Sequence, residues 1–550
     1  MTLSADVAYT DSTYTADLVN VDYAMASSPV RNVQFEVDQD GGPSQQYLNF
    51  NLGDPANYIS RGLYQEYLVV SGQDWQARTD LSYDLDLGPL KRLQVGIRYN
   101  DRKAGRDFGN FYVNNEAAGI PMSSLPGADV RATLPGFAYN DAQPNHFYAA
   151  ITRDSIRDNL VALRSFFGTP EGRPAFNPLE NFRANEKAYA GYAQIKYGFD
   201  LGSTVIDGLI GLRAVKTKTS VSGYGSVDGS IIPVTAESEY TDYLPNVSAR
   251  VGLTDKLQLR LAYTQTRTRP SFFDLRPTIT LGQPVDPSTF PDGDPCKAPG
   301  AATDPSCDDR LRRGGSGGNP NLKPLTADNY DASLEYYFSR TGSFTAAVFR
   351  HDANGFLATV DNRYTDPTYG PVRISQPVNL GQTRLQGVEL AFTSFLDIDG
   401  LPDWTKGFGV QANGTYIDAK GDLIPSFAAT YGGEQQAFPG VSKWSGNIVA
   451  LYEKPQFSAR LAYNYRSKFV SYYSLEALDP IAHPIIEKGR GQLDFSTSVT
   501  PLPNVTFAFD VVNVLGNPLQ RSRQYNTGDS YTRQVIYLER AYSLGVRFRF

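Results

Sequence analysis

Sulfur, histidine and long apolar runs are scarce in this chain, and each scarcity excludes something. Only 2 of its 550 residues are cysteine and 3 are methionine, so it is not a disulfide-built scaffold. The three histidines, His146, His351 and His483, are scattered and form no zinc constellation. No phosphate-cradling glycine loop, no Gly-x-Ser-x-Gly elbow and no His-Glu-x-x-His motif occurs, so neither enzymatic chemistry nor a cofactor is expected. The net charge of −7 leaves no basic footprint for nucleic acid. No apolar run reaches the ~18 residues of a membrane-crossing helix. That absence does not exclude a barrel, whose strands need only about 9–11 residues, half of them polar. The first residues, Met1 to Asp6, lack the basic start and apolar core of a secretory signal.

What the chain does have is alternation. Aromatics make up 12% of it, with 35 Tyr and 30 Phe. In the last ten residues Tyr542, Leu544, Val546, Phe548 and Phe550 fall on one face, and Ala541, Ser543, Gly545, Arg547 and Arg549 on the other. A period of two marks a β-strand with one apolar and one polar face. A terminal strand of this kind leaves an apolar edge that barrel closure would remove. Alternation alone also fits the last strand of a soluble sandwich.

The same pattern recurs in hairpins. Leu81 to Asp86 turns at Gly88-Pro89 into Leu93 to Tyr99. Tyr189 to Tyr197 turns at Asp200-Leu201-Gly202 into a strand from Val205. Leu257 to Tyr263, Tyr330 to Val348, Val388 to Tyr416, Ile448 to Tyr465 and Leu493 to Val511 continue the series. Long irregular stretches are expected at 101–183 and 275–325. Inside the first, Ile156, Leu160, Leu163 and Phe167 recur at helical spacing, with Asp154 as N-cap and Gly168 as stop. Short turns at one end and long loops at the other are the asymmetry of an outer-membrane barrel. No repeat of about 40–50 residues suggests propeller blades. The expectation is an all-β transmembrane antiparallel β-barrel of 18–20 strands, occupying residues 1–550 as one domain, with long extracellular loops and short periplasmic turns.

Specific segments carry a resemblance. Gly318-Asn319-Pro320-Asn321-Leu322-Lys323-Pro324, then Asp328 to Asp331 and Leu334 to Phe338, look like a signature of TonB-dependent outer-membrane receptors. Phe349 to Phe356, Leu244 to Val247, Arg267-Thr268-Arg269-Pro270, Gln386 to Glu389 and Asn513 to Asn517 are similar to further segments of that family. The pattern is closest to receptors of Xanthomonas- and Caulobacter-type proteobacteria. Ser543, Gly545, Phe548 and Phe550 resemble the carboxy-terminal assembly signal of outer-membrane barrels. The resemblance implies a 22-strand barrel in the bacterial outer membrane, importing a scarce carbohydrate-type or iron-siderophore ligand. Its partners would be outer-membrane lipid, the barrel-assembly machinery and, through a plug, the TonB-ExbB-ExbD complex. Because the chain starts on a barrel-like strand, signal, TonB box, plug and some strands are expected to be missing from it. A passive plugless porin-like channel, or a soluble β-rich carbohydrate-active enzyme, are the rival readings.

Candidate residues follow. Phe108, Phe111, Tyr112, Phe166, Phe167, Phe176, Tyr431 and Phe438 are expected in long loops, where aromatic faces stack on a ligand. Arg260, Glu335 and Glu389 are expected on the lumen wall. Cys296 and Cys307, in one exported loop, are expected to pair.

Overall fold

The computed structural model describes the chain except for residues 28–31, 37–43, 48–50, 132–148, 299–304, 397–399, 422–435, 477–478, 526–529, 537 and 550. Among the described residues the main sheet has 19 strands, but the barrel wall has sixteen of them, fewer than the 18–20 expected. Three are short: Ile279–Leu281, Arg313–Gly317 and Gln436–Ala437. The other sixteen form the wall of an antiparallel β-barrel, each paired with the next in chain order. The first is Thr2–Met25, paired with Tyr58–Leu87, and the last is Ala541–Phe548, paired with Val505–Val512.

The alternation sets the two faces. Tyr542, Leu544, Val546 and Phe548 point outward and are exposed, Leu544 by 79%. Aromatic pairs, most of them across neighbouring strands, mark two heights on that face. Tyr9–Trp75, Tyr99–Tyr189, Tyr263–Tyr330 and Tyr416–Trp444 lie 4.6–5.1 Å apart, centroid to centroid, toward the long loops. Tyr197–Phe199, Tyr336–Phe338 and Phe408–Tyr452 lie toward the short turns. The two levels are six residues apart from Tyr330 to Tyr336 and eight from Trp444 to Tyr452. At ~3.3 Å per residue and ~40° of tilt, that is about 15–20 Å along the membrane normal. Ring reach at both ends completes an apolar band of about 25 Å, the height a bilayer requires. Among the described residues no helix is long and apolar enough to cross a membrane; the strands do it.

Hairpin ends follow the expected asymmetry. Gly88-Pro89, Gly202-Ser203, Pro455-Gln456 and Pro503-Asn504 make two-residue periplasmic turns. At the extracellular end the connections are long, or the strands themselves rise past the bilayer. Tyr58–Leu87 has 30 residues, about three times what crossing needs. The tall hairpin Thr204–Val227 to Ser230–Gly252 ends in a tight tip, Asp228-Gly229, both at positive φ (53° and 81°), the geometry of a type I′ hairpin turn.

Three further expectations are corrected. The irregular stretch begins at residue 115, not 101, because Leu90–Asn114 keeps its ladder to Tyr58–Leu87 up to Asn114. The helix is two helices, Arg153–Asp158 and Leu160–Phe167, broken at Asn159. Its N-cap is Thr152, whose hydroxyl accepts from the Ser155 N–H, rather than Asp154. Gly168 does end it, at φ 64°.

Candidate functional site

The tall strands carry two different covers. The first is outside. Leu63, Gln65 and Tyr67 share the outward face with Trp75. The described parts of the connection, residues 115–131 and 149–181, fold down over them. Leu63, Met122 and Leu163 are fully or almost fully buried there, with Tyr58 and Phe167. Each such side chain contributes about 2 kcal/mol of apolar burial. Gln65 Oε1 accepts from Arg164 (3.0 Å), and Phe176 stacks on Tyr67 (5.5 Å).

The second cover is inside, and it forms the candidate site. Leu257–Thr268 stays in register with Ser230–Gly252 only up to Asn246 opposite Thr264. Beyond that point Ser230–Gly252 continues on its other neighbour, while residues 265–268 keep only Leu325–Tyr336. The released segment crosses the inner face. Arg267 there bonds Asp242 and, at 3.4 Å, Thr217 Oγ1. Arg269 bonds Glu186. Further on, Leu275 packs with Phe182, Ala184, Val221 and Leu322. Ile279–Leu281 then adds to Thr204–Val227 in parallel, and Arg313–Gly317 adds to Gly370–Phe395 in parallel. The loop is thus stitched to two tall hairpins.

Glu186 is the anchor. Its side chain is 2% exposed and takes both Arg269 and Arg102, the latter at 3.3 Å. A carboxylate taken out of water needs such partners, since an unpaired buried charge costs several kcal/mol. Arg102 also lies over the Phe272 ring (4.7 Å), and its Nε is buried with no hydrogen-bond partner.

Between the loop and the wall opens a cleft of about 810 Å³. Thr10, Ser12 and Tyr14, Gly72 and Asp74, Arg102, and residues Arg269 to Phe272 line it. Gly72 keeps it open: a Cβ there would sit 3.2 Å from Ser12 Oγ. Asp74 is occupied by the Gln76 and Asn100 amides (2.5 and 3.1 Å). The two guanidiniums are balanced by Glu186 and Asp74, but Arg102 keeps an unanswered N–H beside several hydroxyls and two aromatic rings. Such a surface can hold an anionic, hydroxyl-bearing molecule. Among the described residues no cluster of His, Cys, Asp and Glu fit for a metal ion occurs.

The candidate residues are dispersed rather than gathered. Arg260 and Glu335 pair at 2.9 Å near the periplasmic end, with Gln258 (2.5 Å) and Tyr337 (2.9 Å) also donating to Glu335. Glu389 is exposed and shares their inner face by register. Phe108, Phe111 and Tyr112 stand on a wall strand, not in a loop, because that strand continues to Asn114. Phe111, Phe166 and Phe167 are packed in the outer cover, and Phe176 also faces outward. Phe438 packs on Phe356 (4.9 Å). Tyr431 and Phe550 lie outside the described residues. Cys296 and Cys307 are disulfide-bonded. Arg310 beside Asp294 holds that carboxyl below its ordinary value, helped by the Cys296 N–H. Ser543 donates to Asp510 (3.2 Å) on the last strand pair. Glu186, Arg102 and Phe272 escaped the sequence reading. Arg267 and Arg269 stood inside a quoted segment, but nothing local to it announces that the strand leaves the wall there.

An antiparallel wall with two aromatic girdles about one bilayer apart defines an outer-membrane β-barrel. Residues 8–514 match the family of TonB dependent receptor-like β-barrels, and the chain belongs to that family; it is a bacterial outer-membrane protein. Its fold is similar to that of the ferric-catecholate import receptor Fiu from E. coli K12, with TM-score 0.54, 13% identity, and coverage of 100% of this chain and 64% of that one. It is also similar to BauA, the ferric preacinetobactin receptor from Acinetobacter baumannii, with TM-score 0.53, 16% identity, and coverage of 99% and 60%. The chain therefore spans less than two thirds of the length of these two receptors. No curated protein sequence matched.

Proposed function

We propose that the protein takes part in importing a scarce, anionic ligand across the outer membrane, with energy relayed by the TonB-ExbB-ExbD complex, and that it converts no substrate. The observation that carries this reading is the inner-face cleft, where Arg102 and Arg269 share Glu186 next to Phe272, Tyr14 and a row of hydroxyls. An iron chelate bearing carboxylates or catecholates offers strong acceptors to those guanidiniums. So does an acidic oligosaccharide, whose rings stack on aromatic faces and whose carboxylates meet arginine. A neutral sugar offers the buried Arg102 N–H a weaker acceptor than a carboxylate does.

The test is uptake by cells carrying the natural protein, with and without functional TonB. Labelled ferric chelates, acidic oligosaccharides and neutral oligosaccharides would be compared. Saturable, TonB-dependent uptake of an anionic class, lost in Arg269→Gln, supports the reading. Equal uptake without TonB, with steady conductance in planar bilayers, would instead make the protein a passive channel.

A further inference from the structure

A cavity larger than the inner-face cleft lies on the lipid-facing side of the wall, not in the lumen. It is a groove of about 860 Å³. Its floor is Ala332, Val348 and Val388, and its ends are the aromatic pairs Tyr263–Tyr330 and Tyr416–Trp444.

Register explains why it exists. Going round the wall, Leu261 stands opposite Ala332, Ala332 opposite Val348, Val348 opposite Val388, and Val388 opposite Tyr416. Tyr330 and Tyr416 carry the extracellular girdle on either side. Between them, the strands Ser343–Asp366 and Gly370–Phe395 bring no aromatic residue to that height. Where rings would stand, Arg350 faces outward opposite Gln386. The girdle is therefore interrupted over two strands, and the interruption is hollow.

The rim above the hollow is charged. Arg350 and Arg384 both bond Asp352 at 2.8 Å, two cations on one carboxylate. Lys420 is directly opposite Arg384 on the next strand. Lys443 lies 5.5 Å from the centre of the Tyr416 ring. Asp418 stands opposite Gln386, and Asp328 opposite Asp352, where it receives the Tyr263 hydroxyl (2.9 Å). The rim thus brings four cations to three carboxylates. The cations Arg384, Lys420 and Lys443 lie on the Tyr416 side with Asp418 as the one carboxylate on their strands there, and Asp352 and Asp328 lie toward the other side. Arg350 and Arg384 are about half exposed.

We propose that this groove is a binding site for one phosphorylated, acylated glycolipid of the outer leaflet. An acyl chain fills the trough on Ala332, Val348 and Val388, and a phosphate meets Arg384, Lys420 and Lys443. Apolar floor and cationic rim meet at the level where the acyl region of a bilayer gives way to headgroups. Bidentate and clustered cations are the groups that recognise phosphate. The site rests on the barrel's place in the membrane and not on the imported ligand.

The test uses the full chain purified in mild detergent and native mass spectrometry, with lipid A and phosphatidylglycerol as added probes. Wild-type protein should retain one lipid A through detergent exchange, at least ten-fold more than phosphatidylglycerol. Arg384→Gln combined with Lys420→Gln should cut retention about ten-fold, and Val388→Trp, which fills the trough, should cut it similarly. Heat-modifiable mobility in gels should be unchanged in each variant. Equal retention by the charge-neutralised variant, equal retention of phosphatidylglycerol, or no retained lipid would overturn the proposal.

Discussion

The two sides of the wall are built differently. From Tyr58 to Gly252 five strands of 20–30 residues rise without a break. From Trp444 to Phe548 the wall strands have only 8–13 residues. Above them stands a separate four-stranded sheet, Phe469–Glu476, Asp479–Glu487, Leu519–Gln524 and Ser530–Ile536. Both sides cross the same bilayer. The tall side reaches its height on one continuous ladder and is held by covers on both faces. The short side reaches it in two steps, and the step is fixed by a few side-chain bonds. At Asn513 the backbone takes a positive φ of 58°. The Asn513 N–H donates to Asp494 (2.8 Å), and its amide donates to the Leu538 carbonyl (3.0 Å). Arg540 Nε returns to the Val514 carbonyl (2.8 Å), and the Asn517 amide donates to that of Gly491 (2.8 Å). Height gained by a ladder is spread over many bonds; height gained by a step depends on a few.

That contrast can be broken on the tall side first. Glu186→Gln leaves Arg102 and Arg269 without their carboxylate, and removing one partner of a buried pair costs about 3–5 kcal/mol. Hydrogen exchange should show residues 265–281 opening while the ladder of Tyr58–Leu87 stays protected. If the ladder opened as well, wall and cover would not be separable. Next, Cys296→Ser should release the loop that the disulfide closes, worth about 3 kcal/mol of chain entropy for a loop of this length. Limited proteolysis should cut near 287–311 and leave the inner anchor at Glu186 intact.

The short side is tested by Asn513→Ala. Losing the amide bond and placing alanine at positive φ together cost about 2 kcal/mol. The heat-modification temperature should fall, and exchange should rise at 513–540 but not on the tall strands. The smallest effect expected is with pH. Asp294 has a depressed folded value, so its contribution is present above the ordinary carboxylate range and is lost as pH falls through that depressed value. Protection of residues 292–297 should hold from pH 7 to 5 and decline only below about 4.

Most of the wall was legible in the sequence because lipid imposes a period of two on every strand that crosses it. Leu257 to Tyr263 and Tyr330 to Tyr336 declare their faces residue by residue. The eight aromatics offered as ligand contacts show where that legibility stops. Phe108, Phe111 and Tyr112 read as loop because Gly105 and Gly109 interrupt the alternation, yet the ladder passes through both. The glycines are there for close approach: a Cβ on Gly109 would collide with the Ala175 carbonyl oxygen. Glu186 looks like any other polar residue on its strand's lumen face.

The sequence by itself determined the strand order, the lipid-facing residues and the end of the barrel that bears long loops, since each is a local response to membrane or water. Tertiary structure alone decided that residues 115–131 and 149–181 cover the outside, and residues 265–298 and 305–324 the inside. It also decided that Arg102 and Arg269, far apart in the chain, converge on one buried carboxylate. Those outcomes depend on where a strand leaves its neighbour, at Asn246 and Thr264. That is a competition between two ladders and a loop's packing energy, not a property of any one segment.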